Sequence, residues 1–216
     1  MLWQTLSTPW QTAASEAWTS YCQGSLPHGA VLTDASGNIV SQGRNRIHER
    51  EAPGSIIHGQ KLAHAELNTL LQTDWSTLDR GSVVLYSTIE PCAMCTGAIR
   101  MANVREIHYA ARDTTSGGLS LLDKTPFLVK GQIRVIGPAN ATLEIVLLAM
   151  LIDTALNMTD HPAKEAWAAE LASQVPAAGV LGNELYASRQ LSLWAEEGRS
   201  ASFVFDTLAA RLSSSS

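Results

Sequence analysis

Val83-Val84-Leu85-Tyr86-Ser87-Thr88-Ile89-Glu90-Pro91-Cys92-Ala93-Met94-Cys95 passes from a β-branched and aromatic run, through a proline, into good helix formers. Val83 to Tyr86 reads as a buried strand. Pro91 stands where a helix can begin, and Cys92 to Met101 continues it. Upstream, Leu62 to Leu71 reads as a second helix, with His64 in its first turn or two. The two segments therefore carry His64-Ala65-Glu66 and Cys92-x-x-Cys95 at helix N-termini, where the macrodipole favours thiolate over thiol.

Further out, the chain alternates. Ala30 to Thr33 and Asn38 to Gln42 read as strands joined by the turn-rich Asp34-Ala35-Ser36-Gly37. Glu106 to Ala110 and Ile133 to Ile136 read as two more. Strands interleaved with helices imply an α/β layered domain. Before them, Trp10, Ala14, Ala17, Trp18 and Tyr21 fall at helical spacing, placing an N-terminal helix at about 8–23 whose tryptophans serve packing.

One imidazole, two thiols and one unspent carboxylate form a set with chemical meaning. Three such ligands are what a catalytic zinc takes when its fourth position is open to water. Glu66, two residues from His64, is placed to exchange protons with that water. A C-x-x-C pair alone also suits a redox couple or half of a structural zinc site. Neither of those readings uses Glu66, and the third cysteine, Cys22, lies far away in sequence.

Residues from about Pro27 to Pro138 resemble the cytidine-deaminase-like zinc deaminases, in the branch of tRNA adenosine deaminases, guanine deaminases and fungal-type cytosine deaminase. The resemblance rests on the two motifs above, on Pro91-Cys92-Ala93-Met94-Cys95-Thr96-Gly97-Ala98 and on Ala110-Ala111-Arg112-Asp113. It implies a three-layer α/β/α fold with a mixed five-stranded sheet. It also implies Zn2+ on His64, Cys92 and Cys95, with Glu66 as catalytic proton shuttle. Gly43-Arg44-Asn45 matches the family's G-x-N, making Asn45 the expected substrate contact, joined by the backbone N–H of Ala65. Homodimers or larger homo-oligomers are usual in that branch.

Charge narrows the substrate. The chain has 15 Lys+Arg against 20 Asp+Glu, for a formal net charge of −5. Polynucleotide binding ordinarily shows a basic footprint. Here Arg44, Arg46 and Arg50 come closest, interrupted by Glu49 and Glu51. The expected reaction is hydrolytic deamination of a small heteroaromatic amine, a free nucleobase or nucleoside, with release of ammonia. The alternatives are adenosine-to-inosine deamination of tRNA and a non-catalytic zinc-stabilised interaction protein. Ala111-Arg112-Asp113 and Ser120-Leu121-Leu122-Asp123 lean toward the tRNA branch, Asn68 toward the guanine branch. Asp113 is expected to cap a turn.

Two departures stand out. The loop 46–63 carries Glu51-Ala52-Pro53-Gly54-Ser55-Ile56-Ile57-His58-Gly59 beside the expected pocket, with His48 and His58 read as solvated loop residues. His28, after Pro27, makes the pocket mouth polar. After Pro138, residues 139–216 form a helical extension on the 1–138 deaminase domain or at an oligomer interface. Its expected helices are Leu143 to Leu156, Ala163 to Val175, Glu184 to Glu197 and Ser202 to Leu212, with a break at Pro176 to Gly182. The apolar run within Leu143 to Leu156 is too short to span a bilayer. No secretory signal or membrane role is indicated, and metal-ligating thiols fit a reducing cytoplasm.

Overall fold

The computed structural model describes residues 1–159 and 161–214; Asp160, Ser215 and Ser216 of the expected tail lie outside it. Strands β1 (Gly29–Thr33), β2 (Ile39–Arg44), β3 (Val84–Ile89), β4 (Glu106–Ala111) and β5 (Arg134–Ile136) form one mixed five-stranded sheet in the order β2-β1-β3-β4-β5. β1 pairs antiparallel with β2 and β3, while β3, β4 and β5 run parallel. The hairpin closes where the Asp34 carboxylate accepts from the Ser36 and Asn38 amides, at 2.8 and 2.9 Å.

Two hydrophobic clusters flank the sheet. Helices α2 (Ala65–Gln72) and α3 (Ala93–Met101) supply Leu70 and Ile99 to one, against Leu32, Leu85 and Ile107. The other joins α1 (Thr8–Cys22) to the C-terminal helices α5 (Ala141–Asn157), α6 (Lys164–Gln174), α7 (Pro176–Ser188), α8 (Gln190–Glu196) and α9 (Ala201–Ser214). The short helix α4 (Pro126–Val129) precedes β5. The tryptophans of α1 serve packing: Trp18 is buried and its indole N–H donates to the Arg199 carbonyl at 2.7 Å, and Trp10 meets Tyr86 edge-on. No helix of the described residues is long and apolar enough to cross a membrane.

Three expectations change. His64 is the N-cap of α2 rather than a residue of its first turn, because the Ala63 carbonyl accepts from the Arg46 amide at 2.9 Å and cannot join a helix ladder. Pro176 to Gly182 is no break but the start of α7: proline suits a first helical position, and Gly179 and Gly182 face Ala172 and Ile152 too closely for a larger side chain. The single helix expected over Glu184 to Glu197 is divided at Arg189, whose φ of 54° ends α7 and opens α8.

The C-terminal helices are tied to the sheet near the ends of β3 and β4. Asn140 caps α5 by accepting from the Thr142 and Leu143 amides. The buried Glu144 then accepts from Arg112 at its backbone N, Nε and Nη2, at 3.1, 2.8 and 3.0 Å. On the other side of the sheet, α2 lies close to β2. A Cβ placed at Gly43 would stand 2.7 Å from the Thr69 nitrogen and 2.9 Å from the Ala65 carbonyl oxygen. Gly43→Ala should therefore push away the turn that carries His64 and Glu66, lowering stability by about 1–3 kcal/mol. Urea unfolding checks this, and an unchanged midpoint would contradict the packing.

Asp153 on α5 accepts a 2.7 Å hydrogen bond from the Tyr21 hydroxyl, and burial pushes its pKa up to about 6. The folded chain thus holds this proton more tightly than the unfolded chain does. The resulting stability is complete below the ordinary carboxylate pKa and is lost as pH rises through about 6. Asp153→Asn should flatten the melting temperature across that window and raise stability at neutral pH by roughly 1–3 kcal/mol, as read by thermal melts.

Candidate active site

Three ligand atoms converge where α2 and α3 begin. His64 is the N-cap of α2, and Cys92, immediately after the carboxyl end of β3, is the N-cap of α3. In open α/β sheets that end of the strands is where ligands bind. His64 Nδ1 is 3.6 Å from Cys92 Sγ and 3.6 Å from Cys95 Sγ. A tetrahedral zinc with its nitrogen at about 2.0 Å and sulfurs at about 2.3 Å separates N and S by about 3.5 Å. Among the described residues, His64, Cys92 and Cys95 are the one group of His, Cys, Asp or Glu side chains close enough to hold a metal. The donor set therefore fits Zn2+ with a position left open.

The thiols are electrostatically unequal. Hydrogen bonding from Cys95 takes the Cys92 thiol down to about 4, against the opposing effect of burial, with His64 assisting. Cys95 is held above the ordinary thiol range by its hydrogen bond to Cys92 and by burial. Hydrogen bonding to Cys92 raises His64. The pair gives up one proton readily and retains the other; a bound dication removes the second.

Glu66 lies in the first turn of α2, buried, with its Oε2 3.4 Å from Cys95 Sγ. Burial raises its pKa, so the carboxyl is poised to carry a proton. Its Oε1 accepts from the Ser87 hydroxyl at 3.0 Å. Ser87 escaped the sequence reading, although a fully buried serine in an apolar strand signals a polar partner.

A small cleft of about 80 Å³ opens beside these groups. Asn45, His64, Ala65, Glu66 and Cys92 all line it, so the structure brings most of the sequence-derived site residues to one place; Cys95 is buried just behind. Asn45 continues β2, its backbone carbonyl held by the Ser20 hydroxyl and its Oδ1 accepting from the Ile47 amide at 3.1 Å. That leaves the Asn45 side-chain NH2 as donor toward the cleft. Ala65 stands at the start of α2, where first-turn amides have no acceptor within the helix.

The flanking residues sort differently. Asp113 caps its own loop, accepting from the backbone amides and hydroxyls of Thr115 and Ser116, while it also lines the cleft. Asn68 clips the loop 46–63 to α2 through the Ile57 amide and carbonyl and the Arg44 carbonyl. His48 is exposed, as a solvated loop residue should be, whereas His58 is half-buried with a shielded Nδ1 and does not line the cleft. Leu151 of α5 and Trp167 of α6 do line it, so the C-terminal helices wall the site of their own chain. No local sequence signal marks those two residues, because only the tertiary fold brings them there.

A family model described as the cytidine and deoxycytidylate deaminase zinc-binding region matches residues 4–111, half of the 216-residue chain. The tRNA-specific adenosine deaminase of Streptococcus pyogenes serotype M1 is 34% identical over 112 residues, covering 52% of this chain and 61% of that protein. The tRNA-specific adenosine deaminase 2 of Xenopus laevis is 30% identical over 99 residues, covering 44% of this chain and 54% of that one. The chain thus spans about three fifths of the length of the curated relatives it matches. A crystal structure of a mutant protein in complex with 8-azaguanine superposes with a TM-score of 0.53 at 22% identity, covering 70% of this chain and 87% of that one, which shows a shared fold. With a matching domain and a His/Cys/Cys cluster fit for zinc, the chain belongs to the zinc-binding cytidine and deoxycytidylate deaminase family.

Proposed function

We propose that this protein hydrolytically deaminates a free nucleobase or nucleoside, releasing ammonia. The observation that carries this choice is the charge around the cleft. A wider groove continues outward, sharing Leu26, His64, Thr115, Ser116 and Trp167, and Lys61 is the one Lys or Arg among its described lining residues. The arginines flanking Asn45 are engaged: Arg44 donates to Glu49 at 3.0 and 3.1 Å, and Arg46 pairs with the same buried carboxylate. A phosphate backbone would find little there to neutralise it.

The roles follow from the geometry. His64, Cys92 and Cys95 would hold zinc, which when bound supplies the activation of water. Asn45 donates to the edge of the planar base, and the amide of Ala65 joins it. Glu66 takes a proton from the attacking water and passes it to the ring nitrogen beside the amino-bearing carbon. It then takes the proton of the newly added hydroxyl and hands it to the departing amine, so that ammonia leaves as the carbonyl forms; the same group acts as base and acid in turn. Ser87 holds one carboxylate oxygen, so the other is the one that moves protons. Leu151 and Trp167 help to exclude bulk water. Thiol ligands require reducing surroundings, so action in the cytoplasm belongs to the same proposal.

A second reading, deamination of tRNA adenosine, draws on the names of the Streptococcus and Xenopus relatives. One assay separates the two. Zinc-loaded protein is offered guanine, adenine, cytosine, their nucleosides and an anticodon stem-loop, and ammonia is measured. The expected outcome is release from a small molecule, reduced about 10²- to 10⁴-fold in Glu66→Gln with zinc content unchanged. Conversion of the stem-loop alone, with salt-sensitive binding, would contradict the proposal. Ser87→Ala should lower kcat about 10-fold with KM nearly constant, and Ser87→Thr should restore part of it. An equal loss in both Ser87 variants would contradict the positioning role.

A further inference from the structure

His28 precedes β1, and its ring lines the cleft together with Asn45, Glu66 and Cys92. Its Nδ1 is fully shielded and has no hydrogen-bond partner among the described residues. No described residue hydrogen-bonds the other ring nitrogen either; the backbone alone is engaged, with the His28 amide donating to Leu26 at 2.7 Å and its carbonyl accepting from Asn45 at 2.9 Å. A shielded, unpaired polar atom costs about 1–3 kcal/mol. Burial pushes the imidazole down to about 4, so at neutral pH the ring is uncharged, with one nitrogen donating and one accepting.

The hairpin register says what the ring is beside. Gly29 pairs with Arg44, and the Asn45-to-His28 hydrogen bond adds the next rung, placing residues 28 and 45 opposite each other. Directly opposed residues of an antiparallel pair project to the same side, about 4.5–5.5 Å apart at Cβ. An amide donor and a neutral imidazole thus stand together at one wall of the cleft, while Leu151 and Trp167 give it apolar surface.

We propose that His28 is a specificity-determining residue, pairing with Asn45 to read two adjacent polar atoms on the edge of a neutral heteroaromatic amine. This rests on the deamination of a small base argued above and adds which atoms select it. With Nδ1 shielded, it is the other ring nitrogen, Nε2, that meets substrate, which favours bases with a ring N–H or exocyclic heteroatom next to the atom that Asn45 binds, over analogues with carbon there.

The test compares wild type, His28→Val and His28→Asn as zinc-loaded proteins. Ammonia release, calorimetric binding and ¹⁵N-histidine NMR are followed with cytosine, guanine, adenine and their nucleosides. The account expects His28→Val to raise KM about 10- to 100-fold for the preferred base with kcat and zinc content nearly unchanged. His28→Asn should recover part of that loss, and the melting temperature of His28→Val should stay level or rise, because an unpaired buried nitrogen is removed. In the wild type the His28 Nε2 resonance, identified by its absence from His28→Val, should move on saturation with the base. Ammonia release with identical KM in all three proteins would overturn the inference while leaving the deamination reading intact. Bases that bind and move the resonance without ammonia release would sink that reading and leave His28 as a ligand contact. Absence of binding by every base and nucleoside would overturn both.

Discussion

Helix α2 lies so close to β2 that only glycine fits at Gly43, and the site depends on that approach. The same helix start carries His64 and Glu66, and Asn45 follows the end of β2, two residues after Gly43. Thr69 fastens the contact from within the helix, its hydroxyl bonding the Ala30 carbonyl of β1 at 3.1 Å. The positions of His64, Glu66 and Asn45 are thereby set by one packing distance. The second helix then needs only to begin at the end of β3 for its two thiols to reach the imidazole.

Buried carboxylates divide the remaining labour. Glu49 gathers Arg44 and Arg46, which fixes the chain after Asn45 and withdraws two cations from the cleft. Glu144 gathers Arg112, which seats the first turn of α5 against the end of β4 and so brings Leu151 within reach of the cleft. Glu66 has a serine hydroxyl in place of a cation, and burial raises its pKa beside the metal ligands. A carboxylate held by a hydroxyl in a dry pocket can exchange protons.

The parts of this arrangement written in local pattern could be read from the chain. The strand before Pro91, the helix after it and the His64/Glu66/Cys92/Cys95 constellation depend on short-range rules, and each is where those rules put it. Helix ends were less legible: a long-range bond to Arg46 keeps His64 outside α2, and close contacts of Gly179 and Gly182 with Ala172 and Ile152 give a helix where Pro and Gly suggested a break. Ser87, Leu151 and Trp167 enter the site only through tertiary packing, and spacing along the chain holds no trace of it. The fate of Arg44 and Arg46 was likewise hidden, since pairing with Glu49 depends on how the loop 46–63 folds back.

The most direct test of the central claim is the metal itself. X-ray absorption at the zinc edge on the purified holoprotein should show two sulfurs at about 2.3 Å, one imidazole nitrogen at about 2.0 Å and one light non-protein ligand, with Cys92→Ser and Cys95→Ser each removing one sulfur. A shell closed by four protein ligands, or one in which Glu66 binds the metal, would contradict an open site with a free carboxylate beside it.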